Sequence, residues 1–360
     1  MSQQEYAADE RTDQKPLLQV ENLQTTFFTD KETIRAVDGV SFDIDRGESV
    51  GIVGESGSGK SVTARSITGL IDNPGKVVGG SVRYKGEELT DNSEKEWQNV
   101  RGGEIAMVFQ DPLSSLNPVY TVGNQIKESL RLHQGMRGKE ATEEAIELLE
   151  AVGIPDAPRR VKEYPHQFSG GMRQRAVIAV ALACDPDLLI CDEPTTALDV
   201  TIQAQILELL EDLKTEHDLG IMFITHDMGV IAEITDRVNV MYAGEMVESA
   251  PVVELFENPK HPYTQGLLES IPGNSESDEL TTIEGEVPTP NEPATYCRFA
   301  PRCPKAFDDC EQVHPVNVEV AEGVDDHTAA CLLYPEDVSQ DEAVELHQSR
   351  TDTTEKEVSE

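Results

Sequence analysis

Basic residues are scarce in this sequence. Its 360 residues include 29 lysines and arginines against 68 aspartates and glutamates, a formal net charge of −39. A surface this acidic repels nucleic acids and anionic lipids, so a direct polyanion-binding role is disfavoured. The acidic residues are spread along the chain, and we interpret their excess as an adaptation for solubility in a salt-rich cytosol. This hypothesis predicts weak folding in low salt, and full stability there would count against it.

Long hydrophobic runs are also absent. No stretch of 18 apolar residues occurs, so no segment is predicted to span a bilayer. The first 16 residues are polar, lack the hydrophobic region of a secretory signal, and are predicted to be a disordered tail. The sequence therefore predicts a cytosolic protein, or one held at a membrane only by a partner.

Cysteine is limited to six residues, and a cytosolic setting favours reduced thiols or a metal site over disulfides. Cys184 and Cys191 lie in apolar runs and are interpreted as small core residues. The other four are spaced C-x5-C-x6-C-x20-C, namely Cys297, Cys303, Cys310 and Cys331. No C-x2-C pair is present, so a zinc-finger spacing is not matched. An iron–sulfur cluster, zinc and free thiols in a small core all stay open for this set.

A glycine-rich stretch is the most informative feature that the sequence does contain. Residues 54–61 read GESGSGKS, which fits G-x-x-x-x-G-K-[ST] without a mismatch. It follows an apolar run, Ser49 to Val53, and precedes a helical pattern, the context that a phosphate-binding loop requires. In such a loop, backbone N–H groups and the helix N-terminus face phosphate oxygens. We predict nucleoside triphosphate binding by Gly54, Glu55, Ser56, Gly57, Ser58, Gly59, Lys60, Ser61 and Val62.

Two residues of this loop have individual roles in the prediction. Lys60 is expected to reach the β- and γ-phosphates, and the Ser61 hydroxyl is expected to ligate Mg²⁺. The alternative, a Gly/Ser-rich turn that matches by chance, is disfavoured by the flanking strand and helix.

Polar side chains follow three further apolar β-type runs. Asp192 and Glu193 end the run that begins at Leu188, Gln110 follows the run 105–109, and His226 ends the run 220–225. Strands that alternate with helices predict an α/β fold with a mostly parallel sheet covered on both faces. Since ligands gather at the carboxyl ends of such strands, we expect these residues to converge on the phosphate loop.

The chemistry expected at that edge is phosphoryl transfer to water. Asp192 is suited to the Mg²⁺ shell, and Glu193 is placed to polarise the attacking water. His226 suits a γ-phosphate sensor, although a lone histidine or glutamine is more often structural. Phe27, at the end of the first β-run, is placed to stack on a purine base, but a strand aromatic is more often a core residue.

A second anion-binding device precedes a later helix. Ser169, Gly170 and Gly171 offer free backbone N–H groups, a hydroxyl and a helix N-terminus. Alone, this triplet is merely a good helix cap. Together with the phosphate loop, it is what a protein needs to clamp a nucleotide from both sides.

Between residues 17 and about 335, the chain resembles the ATPase subunits of ABC transporters, and within them those of dipeptide and oligopeptide importers. Residues 54–61 match the Walker A loop, Gln110 the Q-loop, 188–193 the Walker B motif, 197–199 the D-loop and His226 the switch histidine. The signature motif reads FSGGMRQ at 168–174, with Phe and Met in place of the commoner Leu and Gln of LSGGQ. Phe27 matches the adenine-stacking aromatic, and Phe28 is a neighbouring candidate.

This resemblance implies a P-loop NTPase core, with ATP and Mg²⁺ as ligands. Lys60, Gln110, Glu193 and His226 are then catalytic; Ser61, Gln110 and Asp192 hold Mg²⁺; and Asp199 belongs to the nucleotide site. It also implies that two ATPase subunits pair head to tail, so that Ser169–Gly171 of one complete the site of the other. The implied partners are a like or paralogous ATPase subunit, two transmembrane permease subunits and an extracytoplasmic solute-binding protein, with the chain peripheral on the cytoplasmic side of the membrane.

The resemblance also implies a division of the chain. An ATPase domain is expected over 17–250, with a helical subdomain at about 111–178. A Pro-rich extension over 251–335, which holds eleven prolines, would carry a 4Fe–4S cluster on the four cysteines, with zinc as the alternative. Residues 336–360 are predicted to be an acidic disordered tail.

One other class of function stays open at this point, a soluble ABC-type ATPase of DNA repair or translation. Such proteins usually carry two nucleotide units or a long coiled-coil insertion. This sequence has neither, and its charge disfavours nucleic acid.

Overall fold

The computed structural model describes residues 15–111, 115–196, 198–271, 283–320 and 326–358. The N-terminal tail predicted over residues 1–16 lies almost wholly outside these residues, as does Ala197 of the predicted D-loop. None of the helices in the described ranges has the length and apolar character needed to cross a bilayer.

Strands and helices are interspersed along the chain. The strands are β1 Leu18–Phe28, β2 Thr33–Ile44, β3 Ser49–Val53, β4 Gly75–Tyr84, β5 Glu87–Glu88, β6 Ile105–Val108, β7 Leu188–Asp192, β8 Gly220–Thr225, β9 Arg237–Tyr242, β10 Glu245–Pro251, β11 Val318–Glu319 and β12 Thr328–Ala329. The α-helices are α1 Lys60–Ile67, α2 Glu94–Val100, α3 Val122–Ser129, α4 Gly138–Ala151, α5 Ala157–Arg160, α6 Gly170–Leu182, α7 Val200–His217, α8 Met228–Ile234, α9 Val252–Glu257, α10 Pro262–Glu269 and α11 Gln340–Val358.

The main sheet has a parallel centre, as the alternation of strands and helices predicts. Its order is β11-β12-β10-β9-β3-β8-β7-β6, and the pairs from β9 to β6 are parallel. Every residue of β3, β7 and β8 is buried, because both faces of these strands are covered. Val53 pairs with Thr225 and Asp192 with Ile224, so the carboxyl ends of the three strands lie side by side.

A second sheet is antiparallel and separate from the first. Its order is β2-β1-β4-β5, so the first two strands of the chain lie outside the parallel sheet. Buried residues of β1 and β2 such as Leu18 and Val37 share a core with Val50 of β3 and Ile190 of β7. The two sheets therefore enclose one hydrophobic layer, against which α1 also packs.

The predicted helical segment packs on the other side of the main sheet. Ala141, Ala145 and Leu149 of α4 are buried on one face, as their spacing predicts. They join buried residues of α3 and α6 in the larger core.

The C-terminal region is continuous with the main sheet. Strand β12 pairs with β10, with Glu248 opposite Ala329, and Tyr263 and Phe299 belong to the same core as β9. The region after residue 250 therefore packs partly into the large core, while its later residues form two small hydrophobic clusters of their own.

The prediction of a disordered tail over 336–360 is wrong, because residues 340–358 form helix α11. Ala343 and His347 are buried on one face of this helix. The His347 ring accepts a hydrogen bond from the Val316 amide at Nδ1 and contacts the Tyr334 carbonyl through Nε2. The buried face of the helix thus combines apolar residues such as Val344 with a polar ring, which a search for apolar periodicity does not count.

Candidate nucleotide site

The phosphate loop connects β3 to α1 and is shaped by close backbone contacts. A Cβ on Gly54 would lie 2.2 Å from the Met241 carbonyl oxygen, and one on Gly59 would lie 2.3 Å from the Ala36 carbonyl oxygen. Gly59 also has a φ of +106°. Side chains at these two positions would displace the backbone of the loop, so glycine is required there.

The Lys60 ammonium is held over the first residues of the phosphate loop. Nζ donates to the Gly54 carbonyl at 2.7 Å and to the Glu55 carbonyl at 2.9 Å. Burial lowers the pKa of Lys60, and the carboxylates of Glu193 and Asp192 act against this shift. Ser56 and Gly57 are exposed, Ser58 is buried and Val62 is half-buried against the core between the sheets.

Ser61 and Asp192 form the pair expected for a magnesium site. The Ser61 hydroxyl donates to Asp192 Oδ1 at 2.9 Å. Burial raises the pKa of Asp192, and the Ser61 hydrogen bond acts against it. A hydroxyl and a carboxylate are hard oxygen ligands of the kind that Mg²⁺ takes, so the residues fit this ion, which would also favour the ionised carboxylate.

Glu193 lies at the centre of the convergence that the strand ends predict. Its Oε2 accepts hydrogen bonds from Gln110 Nε2 at 2.7 Å and from the Thr196 hydroxyl at 2.9 Å. Its Oε1 lies 3.3 Å from His226 Nδ1. The backbone φ of Glu193 is +48°, a left-handed conformation that is costly for a residue other than glycine.

The protonation state of Glu193 follows from these contacts. Burial alone would raise the pKa of this carboxyl group, but hydrogen bonds from Thr196 and His226 and the charge of Lys60 bring it below its usual value. The group is therefore an ionised hydrogen-bond acceptor at neutral pH. Thr196 is a contact that the sequence patterns did not single out.

The remaining predicted residues do not join this cluster within one chain. Ser169 is the exposed N-cap of α6, with its hydroxyl accepting from the Met172 amide, and Gly171 packs against Ile202. Asp199 caps α7 through the Ile202 amide. Across the ranges that the structure describes, no hydrogen bond connects Ser169–Gly171 or Asp199 to the phosphate loop.

The predicted adenine-stacking aromatic is half-buried. The Phe27 ring lies over Gly75, where an added Cβ would come within 2.7 Å of Cε1. Phe28, the neighbouring candidate, is 51% exposed.

Two contacts to Glu55 come from the C-terminal region. The Glu55 amide donates to the Tyr263 hydroxyl at 2.8 Å, and Arg302 forms an ion pair with the Glu55 carboxylate. His261-Pro262-Tyr263 and the position of Arg302 beside Cys303 are visible in the sequence, but nothing local links either to residue 55.

The four C-terminal cysteines form a separate group of free thiols. Burial raises the pKa of Cys297 and of Cys331 to about 12, and each of these pKa values also responds to the neighbouring sulfurs. Among the residues described, no three of these sulfurs lie within 4.8 Å of one another. Zinc–sulfur bonds of about 2.3 Å in a tetrahedron would hold sulfurs roughly 3.8 Å apart, so binding of one zinc ion would require these side chains to move closer together.

The other two cysteines are buried, as predicted, and Cys191 belongs to the larger core. Cys191 is fully buried in β7, and Cys184 follows α6. Burial raises the pKa of Cys184 to about 11.

Comparison with known proteins gives two matching families. The family described as "ABC transporter" matches residues 37–196, and the one described as "Oligopeptide/dipeptide transporter, C-terminal region" matches residues 247–310. The oligopeptide transport ATP-binding protein AppD of Bacillus subtilis (strain 168) is 53% identical over 323 residues, which cover 89% of this chain and 98% of AppD. The dipeptide transport ATP-binding protein DppD of the same strain is 50% identical over 319 residues, which cover 88% of this chain and 94% of DppD.

Two solved structures are also similar to part of this chain. The dimeric structure of MJ0796, a bacterial ABC transporter cassette, has a TM-score of 0.59 and 31% identity, and the match covers 65% of this chain and 98% of that chain. The dimeric post-hydrolysis state of MJ0796 bound to ADP and Pi matches with the same values.

Proposed function

This chain belongs to the ABC transporter family of ATP-binding proteins, and from that premise we propose that it hydrolyses ATP to power a membrane importer of dipeptides or oligopeptides. The observation that carries the proposal is the convergence of Lys60, Ser61, Asp192 and Glu193 at one edge of the parallel sheet. The peptide class is supported by the C-terminal region that the chain shares with peptide-transport relatives.

The residues of the site have different roles in hydrolysis. Lys60 and the loop amides neutralise the β- and γ-phosphates, and the ionised Glu193 accepts a hydrogen bond from the attacking water. Gln110 and His226 hold Glu193 from its two oxygens and so orient it. Mg²⁺, bound by Ser61 and Asp192, would screen the charge on the phosphates.

A second ATPase subunit completes the site in this proposal. Ser169 and Gly170 are exposed. The helix N-terminus at these residues is therefore accessible to the phosphates of a nucleotide that is held by a neighbouring subunit. The cassette structures to which this chain is similar are dimers. We place Asp199 and Phe27 in the same shared pocket.

The other proposed partners are two transmembrane permease subunits and an extracytoplasmic solute-binding protein. The helical segment from 111 to 178 would dock on the permeases, which would hold the chain peripherally at the cytoplasmic side of the membrane. The acidic surface would suit a salt-rich cytosol and repel nucleic acid.

Isolation of the full chain from its native cells tests this function. With a block on turnover and Mg·ATP present, we expect membrane permease chains and a second ATPase subunit to copurify. Recovery with ribosomes or DNA instead would favour the soluble ATPase of repair or translation. Identification of the copurifying solute-binding protein would then define the solute.

We also propose that Cys297, Cys303, Cys310 and Cys331 hold a 4Fe–4S cluster rather than zinc. No three of these sulfurs lie within 4.8 Å of one another in the described residues, and backbone amides, such as those of Phe299 and Ala300 at Cys297, face the sulfurs. Amide hydrogen bonds to sulfur are a usual means of stabilising such clusters. A bound cluster would supply either a structural cross-link or a one-electron redox centre.

Metal and sulfide analysis of anaerobically purified protein tests this assignment. We expect about four iron atoms and four acid-labile sulfides per chain, with loss of both in Cys331→Ser. Cys184→Ser is the matched control and should retain them, because Cys184 belongs to the core near α6. One zinc atom per chain, or no metal at all, would contradict the proposal.

A further inference from the structure

Glu55, the second residue of the phosphate loop, is bound twice by the C-terminal region. The Tyr263 hydroxyl accepts the Glu55 backbone N–H at 2.8 Å. The Arg302 guanidinium donates from Nη1 to Glu55 Oε2 at 2.8 Å and from Nη2 to Oε1 at 3.1 Å. A two-bond pair of this kind fixes the direction of both side chains as well as their distance.

The Arg302 guanidinium is also held in place by contacts with residues other than Glu55. Its Nε donates to the Glu284 carbonyl at 2.9 Å, and its Nη2 lies 3.2 Å from the carbonyls of Ile283 and Gly285. The side chain is 6% exposed. Since these contacts fix the guanidinium, little side-chain entropy is lost when it pairs with the carboxylate.

Tyr263 is held equally firmly by the buried sequence that begins at His261. Its ring packs against Tyr242 and Phe299 at centroid distances of 4.7 and 5.4 Å. The Tyr263 amide donates to His261 Nδ1 at 3.0 Å, and the His261 amide donates to the buried Glu248 carboxylate at 2.9 Å. Burial lowers the pKa of His261 to about 4, so the ring is neutral and Nδ1 stays an acceptor.

Glu55 connects these anchors to Lys60. The Glu55 carbonyl accepts from the Lys60 ammonium at 2.9 Å and from the Ser58 amide at 3.2 Å. We propose that the C-terminal region positions the phosphate loop for nucleotide through Tyr263 and Arg302, a role that rests on the proposed ATP site. Both are positioning residues, because they act through Glu55 and not on the nucleotide.

The chain offers a close control for Arg302 in Arg298. Each arginine directly follows or precedes a cysteine of the four, and each fastens the C-terminal region to the rest of the protein. Their side chains are similarly covered, 7% exposed in Arg298 and 6% in Arg302. Arg298 pairs with Asp38 and donates to the Ala243 carbonyl, and it has no bond to the phosphate loop among the residues described. Damage to docking alone would therefore affect both variants.

The test is the dissociation constant of Mg·ATP on the full-length protein in a Glu193→Gln background, which suppresses turnover. Arg302→Lys keeps the charge but loses the two-bond geometry, and we expect it to raise the Kd about tenfold. Tyr263→Phe removes the acceptor of the Glu55 amide and should raise the Kd several-fold. Arg298→Lys should stay within about twofold of the parent.

A double-mutant cycle separates positioning from general destabilisation. Glu55→Gln alters an accessible side chain, so it keeps the proposal testable if Arg302→Lys folds poorly, and it should raise the Kd as much as Arg302→Lys does. Because both changes remove the same contact, the double variant should be no weaker than either single one. Additive effects, an unchanged Kd in Arg302→Lys, or an equal rise in Arg298→Lys would each overturn the proposal.

A failure of the proposed ATP-binding function would give results that differ from a failure of the positioning role. In that case the parent protein would not bind Mg·ATP, or Lys60→Ala would bind it as well as the parent does. If the parent binds and Lys60→Ala does not, the result for Arg302 bears on the positioning role alone.

Discussion

Glu193→Gln is expected to reduce the rate of ATP hydrolysis by about 10²–10³-fold while ATP binding persists. The amide has nearly the shape of the carboxylate, so the Thr196 hydroxyl can still donate to its oxygen. The negative charge that the lowered pKa of Glu193 maintains would be lost, and with it the attraction for the protons of the attacking water. Phosphate release and Mg·ATP affinity, measured on the same preparation, check both halves of this expectation.

Glu245→Gln is the matched control for this substitution. Glu245 lies 2.6 Å from His314 Nε2, as Glu193 lies near His226, but it belongs to β10 and not to the nucleotide site. Its variant should hydrolyse ATP at close to the parent rate. Unchanged hydrolysis in Glu193→Gln would remove Glu193 from the catalytic role.

Lys60→Ala is expected to weaken Mg·ATP binding at least about 100-fold, which corresponds to about 2.7 kcal/mol. The ammonium is buried and already held at the mouth of the loop by the carbonyls of Gly54 and Glu55. Its loss would remove the side-chain cation closest to where the phosphates are expected to lie, in an environment of low dielectric where charge pairs are strong. Titration calorimetry with Mg·ATP measures the effect.

Lys214→Ala tests whether loss of another largely covered lysine has the same result. Lys214 pairs with Glu211 and Asp236 at the end of α7, and its side chain is 11% exposed. We expect its ATP affinity to match that of the parent. ATP binding by Lys60→Ala at parental strength would mean that the glycine-rich loop is not the nucleotide site.

Much of the site could be predicted for two reasons. Each part of it is encoded by a short local pattern, and parallel strands bring their carboxyl ends to one edge of the sheet. The loop at 54–61 has its own backbone requirement, and β3, β7 and β8 are recognisable as unbroken apolar runs. Once these strands are parallel, their carboxyl ends share one edge. Glu193, Gln110 and His226 then come within hydrogen-bonding distance, although 83 residues separate the first two.

Other parts of the fold depend on long-range pairing that the local pattern does not reveal. The runs that became β1, β2 and β4 look like any alternating strands, and only their mutual pairing separates them into an antiparallel sheet. Helix α11 is anchored partly by His347, a polar residue whose buried ring contacts the Val316 amide and the Tyr334 carbonyl.

The sequence alone determined the nucleotide loop, the order of strands and helices in the core and the acidic pair, because each follows from backbone sterics and hydrophobic periodicity within a few residues. Only the tertiary structure decided that Tyr263 and Arg302 reach Glu55, across 208 and 247 positions of chain. Such contacts depend on how whole elements pack, since the sequence around a tyrosine or an arginine does not indicate which distant residue it will contact.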